Sequence, residues 1–262
     1  MNMKLTEQNR LNRGEQEAIR TILMRSHEKE PFSITFPLLE PKTKFFIARD
    51  LETDAPRAVL ALSKLDDTLY EVSAFTDPDC RRQGLFHALW EKAQLALPGQ
   101  SLAGGPVTVR FALDSACKAA LPVLLSIGAS KTSEETEMRC DLSEKPLPGT
   151  KYRFRRSAPS GEGVICYEAL PAEGDKPVFR CYLMPMKDAH CYLHRIAVQK
   201  DMVGRGIGSE VFPELLGVLR KQGYKQASLQ VSAENLPAIR LYDKNGFTVT
   251  TSLRYYEITI TF

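Results

Sequence analysis

Apolar residues fall along this chain in two textures, short continuous runs and runs at helical spacing, and together they predict its elements. Over residues 5–28, Leu11, Ala18, Ile19, Ile22 and Leu23 lie near helical spacing and predict a helix. Three strand-like runs follow at 44–49, 57–63 and 69–75, separated by turn-forming residues at 50–56 and by Asp66-Asp67. A polar turn over 77–84 opens a helix at 85–93, which Pro98 and Gly99 end. A strand at 107–113, a helix at 116–127 closed by Gly128, and a strand at 137–142 complete the first half.

Residues 143–150 are rich in Pro and Gly and read as a linker. The sequence therefore divides into domains 1–145 and 151–262. Beyond the linker the pattern returns. Strands are predicted at 152–156, 164–170, 178–184 and 191–198. A glycine-rich turn then opens a helix that carries Leu215, Leu216 and Leu219. A strand at 227–231, a helix at 235–244 closed by Gly246, and one or two strands over 248–262 follow. The turn glycines Gly84 and Gly206 lie 122 residues apart, and the helix-closing Gly128 and Gly246 lie 118 apart. An element order repeated at half the chain length indicates duplication of one α/β unit. The second copy lacks the opening helix. Pro213, deep in its second-copy helix, is expected to kink or shorten it.

Composition narrows the class. The chain has 262 residues, 43% hydrophobic and 26% charged, enough for two globular domains with real cores. A net charge of +3 is too small to predict a nucleic-acid surface, and the basic run Arg153-Phe154-Arg155-Arg156 reads as a solvated strand face. The six cysteines form no C-x-x-C pair, so no metal site is predicted. The polar start and the absence of an apolar run of about 18 residues predict neither a signal peptide nor a membrane span. The expectation is a soluble protein of the reducing cytoplasm, monomer or homodimer, with no membrane partner.

Candidate chemistry gathers in the second copy. Met202-Val203-Gly204-Arg205-Gly206-Ile207-Gly208-Ser209 joins an apolar strand to a helix. That order leaves backbone N–H groups free at a helix start, where the helix dipole favours an anion. Further on, Asn235 is a good N-cap with Pro237 in the first turn, and Gly246 is a good C′ residue. Asn235, Ala238 or Ile239, and Tyr242 fall on one face of that short helix. His194 lies on the strand before the turn. If that strand alternates, His194, Ile196 and Val198 share a face, and His194 reads either as a base or as a half-buried structural histidine.

The ordered set of strand, Gly204-Arg205-Gly206-Ile207-Gly208, strand, and Asn235…Ala238…Tyr242…Gly246-Phe247 resembles the GCN5-related N-acetyltransferase (GNAT) superfamily over residues ~190–247. Arg81-Arg82-Gln83-Gly84-Leu85-Phe86 echoes it more weakly, so the chain resembles a tandem member. The resemblance implies two GNAT-like domains of α/β (α+β) class, each a mixed, mostly antiparallel twisted sheet flanked by helices. It implies that acetyl-CoA places its pyrophosphate on the backbone of Val203, Gly204, Arg205, Gly206, Ile207, Gly208 and Ser209. Ile196, Ala197 and Val198 would splay from the neighbouring strand and pair with the pantetheine arm. Asn235 would contact the cofactor, and Tyr242 would protonate the leaving thiolate. His194 is the first choice of base, with His190, Glu234 and Glu71 as others. The acceptor implied is a primary amine of a small molecule or peptide. The alternative is a non-catalytic CoA or acyl-CoA sensor or scaffold. Val203 stands where the family usually has Gln or Arg, and Arg205 can compensate. In the first copy Cys117 and Leu124 replace Asn235 and Tyr242, so that copy reads as degenerate.

Overall fold

The computed structural model describes residues 3–97, 105–143, 149, 151–160 and 163–261. The chain forms two compact units, one of residues 1–133 with 253–262 and one of residues 134–252. The units therefore divide at 133/134 and 252/253. The Pro/Gly stretch 143–150, where the sequence places the boundary, falls inside the second unit and lies mostly outside the described residues. Pro98 and Gly99 also lie outside them.

In the first unit the strands run in the order β1 (Met3–Gln8), β2 (Thr43–Asp50), β3 (Pro56–Lys64), β4 (Leu69–Thr76), β5 (Val107–Asp114) and the last part of β12 (Thr248–Ile260). Neighbours are antiparallel except β4 and β5. Helix α1 (Arg13–Lys29) packs Ile19 on one face of this sheet with Phe45, Ile47, Val59 and Ala61. Helices α2 (Leu85–Leu95) and α3 (Ala120–Ser126) pack Leu85, Leu89, Trp90 and Leu124 on the other, with Phe46, Ala48 and Leu60. Strands β2 and β3 are buried on both faces, which explains their unbroken apolar runs.

The predicted helix over 5–28 is only partly present. Residues Met3–Gln8 form β1, paired in register with β2 from Met3↔Asp50 to Gln8↔Phe45. The helix begins after Asn12, whose side chain accepts from the Glu15 N–H at 2.9 Å. The Glu15 carboxylate accepts from the Asn12 N–H at 2.8 Å. This capping box fixes the start. Likewise α3 starts at Ala120 rather than 116, because Asp114 draws the Ala116 N–H (2.9 Å) into a turn.

The second unit orders its strands β6 (Ser130–Asp141), β11 (Gln226–Ser232), β10 (His190–Val198), β9 (Phe179–Pro185), β8 (Ile165–Pro171) and β7 (Tyr152–Arg156). Only β10 and β11 are parallel. Helices α4 (Ile207–Lys221) and α5 (Leu236–Lys244) share one core with one sheet face. Val211, Phe212, Leu215, Leu216, Leu219, Tyr242 and Phe247 meet Cys181, Leu183, Cys191, Leu193 and Leu229 there. Burying each large apolar side chain contributes about 1.5–3 kcal/mol. Helix α4 runs unbroken through Pro213, against expectation. The buried residues on both sides of it, Val211 and Phe212 before and Leu215 and Leu216 after, offset the ~3 kcal/mol that an interior proline costs. As expected, the unit has no counterpart of α1, so its opposite sheet face carries no helix among the described residues. Gly128 and Gly246 take the left-handed conformation just past α3 and α5 (φ 83° and 78°), as their C′ reading requires. No described helix is long and apolar enough to cross a membrane.

Candidate functional site

The site begins where β10 leaves β11. Their parallel pairing covers four residue pairs, His190↔Gln226 to Leu193↔Leu229, and then stops. Strand β11 continues beside β6 to Ser232↔Glu135. Past Leu193, β10 thus keeps a partner only on its β9 side, and residues 194–198 open a fork toward β11. The expected splay of Ile196, Ala197 and Val198 is present as geometry.

The sequence did not show what happens at Arg195. The β9 register runs Leu193↔Leu183 and His194↔Tyr182, then resumes at Ala197↔Arg180 and Val198↔Phe179. The extra residue is a β-bulge, and Arg195 carries φ 49°, left-handed without a glycine. The bulge reverses the alternation. Before it, Cys191 and Leu193 face the helices; after it, Ile196 and Val198 do. His194, Ile196 and Val198 therefore do not share a face. His194 lies on the opposite face with Tyr182 and Tyr192, its ring centroid 5.8 and 5.9 Å from theirs. Its Nε2 is buried without a hydrogen-bond partner among the described residues. Burial, aided by the Arg195 charge, lowers its pKa and holds it neutral.

The glycine turn supplies the anion cradle. A single 3-10 turn, Lys200–Met202, leads into Val203, then Gly204 (φ 81°) and Gly206 (φ 79°), which ends as the N-cap of α4 without a side-chain cap. Of the seven N–H groups from Val203 to Ser209, those of Val203, Arg205 and Ser209 are spent on Lys200, Met202 and Gly206 carbonyls. Those of Gly204, Gly206, Ile207 and Gly208 have no acceptor among the described residues. Val203 is 67% exposed, and Arg205 beside it is exposed as well.

Helix α5 closes the site. The Asn235 Oδ1 accepts from the Ala238 N–H at 3.3 Å, the N-cap its position implied. Tyr242, 6% exposed, packs on Phe212 and Phe247 at centroid distances of 5.3 and 5.9 Å. Its hydroxyl makes no hydrogen bond among the described residues. Burial, with nearby Cys181, pushes its pKa up to about 12, so it stays a donor at neutral pH.

The other candidate bases are placed differently. His190 sits at the closed end of the fork, its Nε2 2.8 Å from the Ser228 hydroxyl. Glu234 is exposed in the turn before α5. Glu71 belongs to the first unit, on β4, where burial raises its pKa. No group of three or more His, Cys, Asp or Glu among the described residues could hold a metal ion.

The first unit repeats the fork and the turn. Its β4 and β5 also pair over four residues, Leu69↔Thr108 to Val72↔Phe111. Arg82 (φ 61°) and Gly84 (φ 78°) copy the left-handed pair Gly204 and Gly206. The forks lie 121 residues apart and the turns 122. The odd residue is the bulge, which β4 lacks: its register with β3 is unbroken from Thr76 to Tyr70. The first unit's fork is also crossed by its own chain. The Glu30 carboxylate accepts from Arg81 and from the Ala119 N–H, each at 3.3 Å. Ser33 donates twice to Asp114 at 2.8 Å, and Phe32 stacks 4.9 Å from Phe75. Leu124, where the second unit has Tyr242, is simply core.

Comparison with known proteins agrees with this arrangement. Residues 151–247 match the model of the acetyltransferase (GNAT) family. The chain is 31% identical over 109 residues to YobR, an uncharacterized N-acetyltransferase of Bacillus subtilis (strain 168), covering 41% of each chain. It is 38% identical over 64 residues to the [ribosomal protein bS18]-alanine N-acetyltransferase of Escherichia coli (strain K12), covering 24% of this chain and 43% of that one. The chain thus matches about two fifths of the length of these relatives. In fold it is similar over 98% of both chains to a GCN5-related N-acetyltransferase from Sphaerobacter thermophilus (TM-score 0.71, 16% identity). The same coverage holds for a tandem GNAT protein from the clavulanic acid biosynthesis pathway (TM-score 0.64, 13% identity). Residues 151–247, which carry the fork, the glycine turn and Tyr242, thus match the acetyltransferase (GNAT) family, and the whole chain has the fold of GNAT proteins, a tandem one included.

Proposed function

We propose that the protein is an acetyl-CoA-dependent N-acetyltransferase that acetylates a primary amine of a small molecule or peptide, and that its second unit carries the reaction. The observation behind this reading is the open fork of β10 and β11 ending at four free amides. These residues fit the cofactor. The amides of Gly204, Gly206, Ile207 and Gly208, at the positive end of the α4 dipole, suit a pyrophosphate. Exposed Arg205 offers the charge that Val203 lacks. The free edge of Ile196, Ala197 and Val198 suits the amide groups of a pantetheine arm. Asn235, with its Oδ1 committed to the cap, can still offer its NH₂ group.

Bound acetyl-CoA supplies an activated carbonyl and a thiolate leaving group. The residues of the chain supply the rest. Backbone N–H groups along the splayed strand face the negative charge that develops on the carbonyl oxygen. Neutral His194 takes the proton that a lysine-like amine, with a free pKa of about 10.4, must lose before it attacks. Tyr242, kept protonated by burial, gives its proton to the sulfur. The first unit, without the bulge and with Glu30 and Ser33 across its fork, serves as scaffold. The same reading makes this a cytoplasmic enzyme without a membrane or nucleic-acid partner.

Thiol release from acetyl-CoA in the presence of an amine panel, together with calorimetric titration of CoA, tests the proposal. Neither release nor binding overturns it. Binding without transfer to any amine points instead to a CoA sensor.

A further inference from the structure

The sheet face of the second unit that no helix covers holds more than His194. Arg195 follows it in the bulge, and its guanidinium lies over the Tyr182 ring, 5.7 Å from the centroid. The same ring lies 5.8 Å from His194, so imidazole and guanidinium share one aromatic wall. Beside them a cavity of about 250 Å³ is lined by Phe179, Arg180, Tyr182, Arg195, Ala197 and Val198. Two cations border it, and they differ. Arg180 donates to Glu168 at 2.6 Å, a carboxylate that Arg155 also holds at 2.6 Å. Arg195 has no carboxylate partner among the described residues. The cavity is therefore bordered by one guanidinium, that of Arg195, with no carboxylate paired to it among the described residues.

Two physical points turn this into a ligand assignment. A left-handed backbone at a non-glycine residue costs about 1–3 kcal/mol, and here it keeps Arg195 at the cavity mouth next to the unpartnered His194 Nε2. A guanidinium's planar fork of N–H donors matches a carboxylate bidentately. We infer that Arg195 reads an anionic group, a carboxylate, on the acceptor whose amine is deprotonated at His194. The acceptor class is then an amino acid, or a comparable amine with an acidic far end, rather than a plain alkylamine. This inference rests on the acetyltransferase reading above and narrows it.

A phosphate of the cofactor has the same chemistry, so the test separates the two sources. Acetyl transfer is measured to matched pairs that differ by a carboxylate: β-alanine and ethylamine, γ-aminobutyrate and propylamine, ε-aminocaproate and pentylamine. The wild type should favour at least one acid over its partner by about tenfold or more in kcat/KM, the scale of a charge-assisted hydrogen bond. Arg195→Leu should reduce that ratio to about twofold or less with CoA affinity unchanged. Arg195→Gly, which suits the left-handed backbone and so preserves the bulge, should do the same. Equal rates within every pair overturn the inference and leave acetyl transfer standing. A loss of CoA affinity with an unchanged acid preference gives Arg195 to the cofactor and also overturns it. Absence of both transfer and CoA binding removes the acetyltransferase reading, and the inference falls with it.

Discussion

Replacing Tyr242 by Phe removes one hydroxyl and leaves the ring. The contacts with Phe212 and Phe247, at 5.3 and 5.9 Å, survive. The lost group has no hydrogen-bond partner among the described residues, so stability should shift by no more than about 1 kcal/mol. In a unit spanning residues 134–252 that moves the melting temperature by roughly 4 °C at most. The rate is another matter. With its pKa near 12, Tyr242 is fully protonated at assay pH, and the variant lacks that donor entirely. General acid catalysis contributes about 10²–10⁴-fold, or ~2.7–5.5 kcal/mol of barrier. Thiol release under saturating acetyl-CoA should therefore fall at least a hundredfold, with the CoA dissociation constant within about twofold of wild type by calorimetry. A kcat within about threefold of wild type would refute the role, because it would leave Tyr242 with packing alone.

Other outcomes follow from the same structure. His194 has a lowered pKa, so its basic form persists to a pH below the ordinary ~6.5 of a histidine. The acidic limb of kcat/KM should have its midpoint below that value, and His194→Gln should abolish the limb. Tyr242 is protonated when folded up to about pH 12 but ionises near 10 when unfolded. Stability should be intact below pH 10 and decline above it by up to ~3 kcal/mol, and urea unfolding of Tyr242→Phe should lack that decline. Gly206→Ala meets no atom within 4 Å, so its cost comes from φ 79° alone. A stability loss of about 1–2 kcal/mol in the second unit is expected, with weaker CoA binding. Calorimetry of the wild type should give one CoA per chain, since Glu30 and Ser33 bridge the first unit's fork; two sites would contradict that account.

Local signals were legible wherever one residue's own chemistry decides the backbone. The glycine turn opening a helix, Asn235 as a side-chain cap, and Gly128 and Gly246 as C′ residues could all be read directly. What escaped depends on partners distant in sequence. Met3–Gln8 is a strand because β2 offers it an edge, although the helical reading begins at residue 5. The N-x-x-E signature at Asn12 marked the true helix start. The bulge carries no glycine, so nothing in Leu193-His194-Arg195-Ile196 announces it. Only the 121-against-122 spacing of forks and turns carries its trace, and the fork positions come from strand pairing. Nor could the units' division be read from composition, because the Pro/Gly stretch is a more visible feature than strand partnership.

That division has a consequence for how the protein is made. Strand β5 waits for its antiparallel partner, Leu253–Ile260, which is synthesised only after residues 134–252. The first unit cannot close its sheet while residues 134–252 are being translated, an interval of roughly 6–24 s at ~5–20 residues per second. Throughout it, Val107, Val109 and Phe111 lie on an unpaired edge of the kind that aggregates. The second unit, although later in sequence, has all its residues first. Assembly order should therefore invert chain order, and the nascent chain should be most vulnerable to misassembly in its first half.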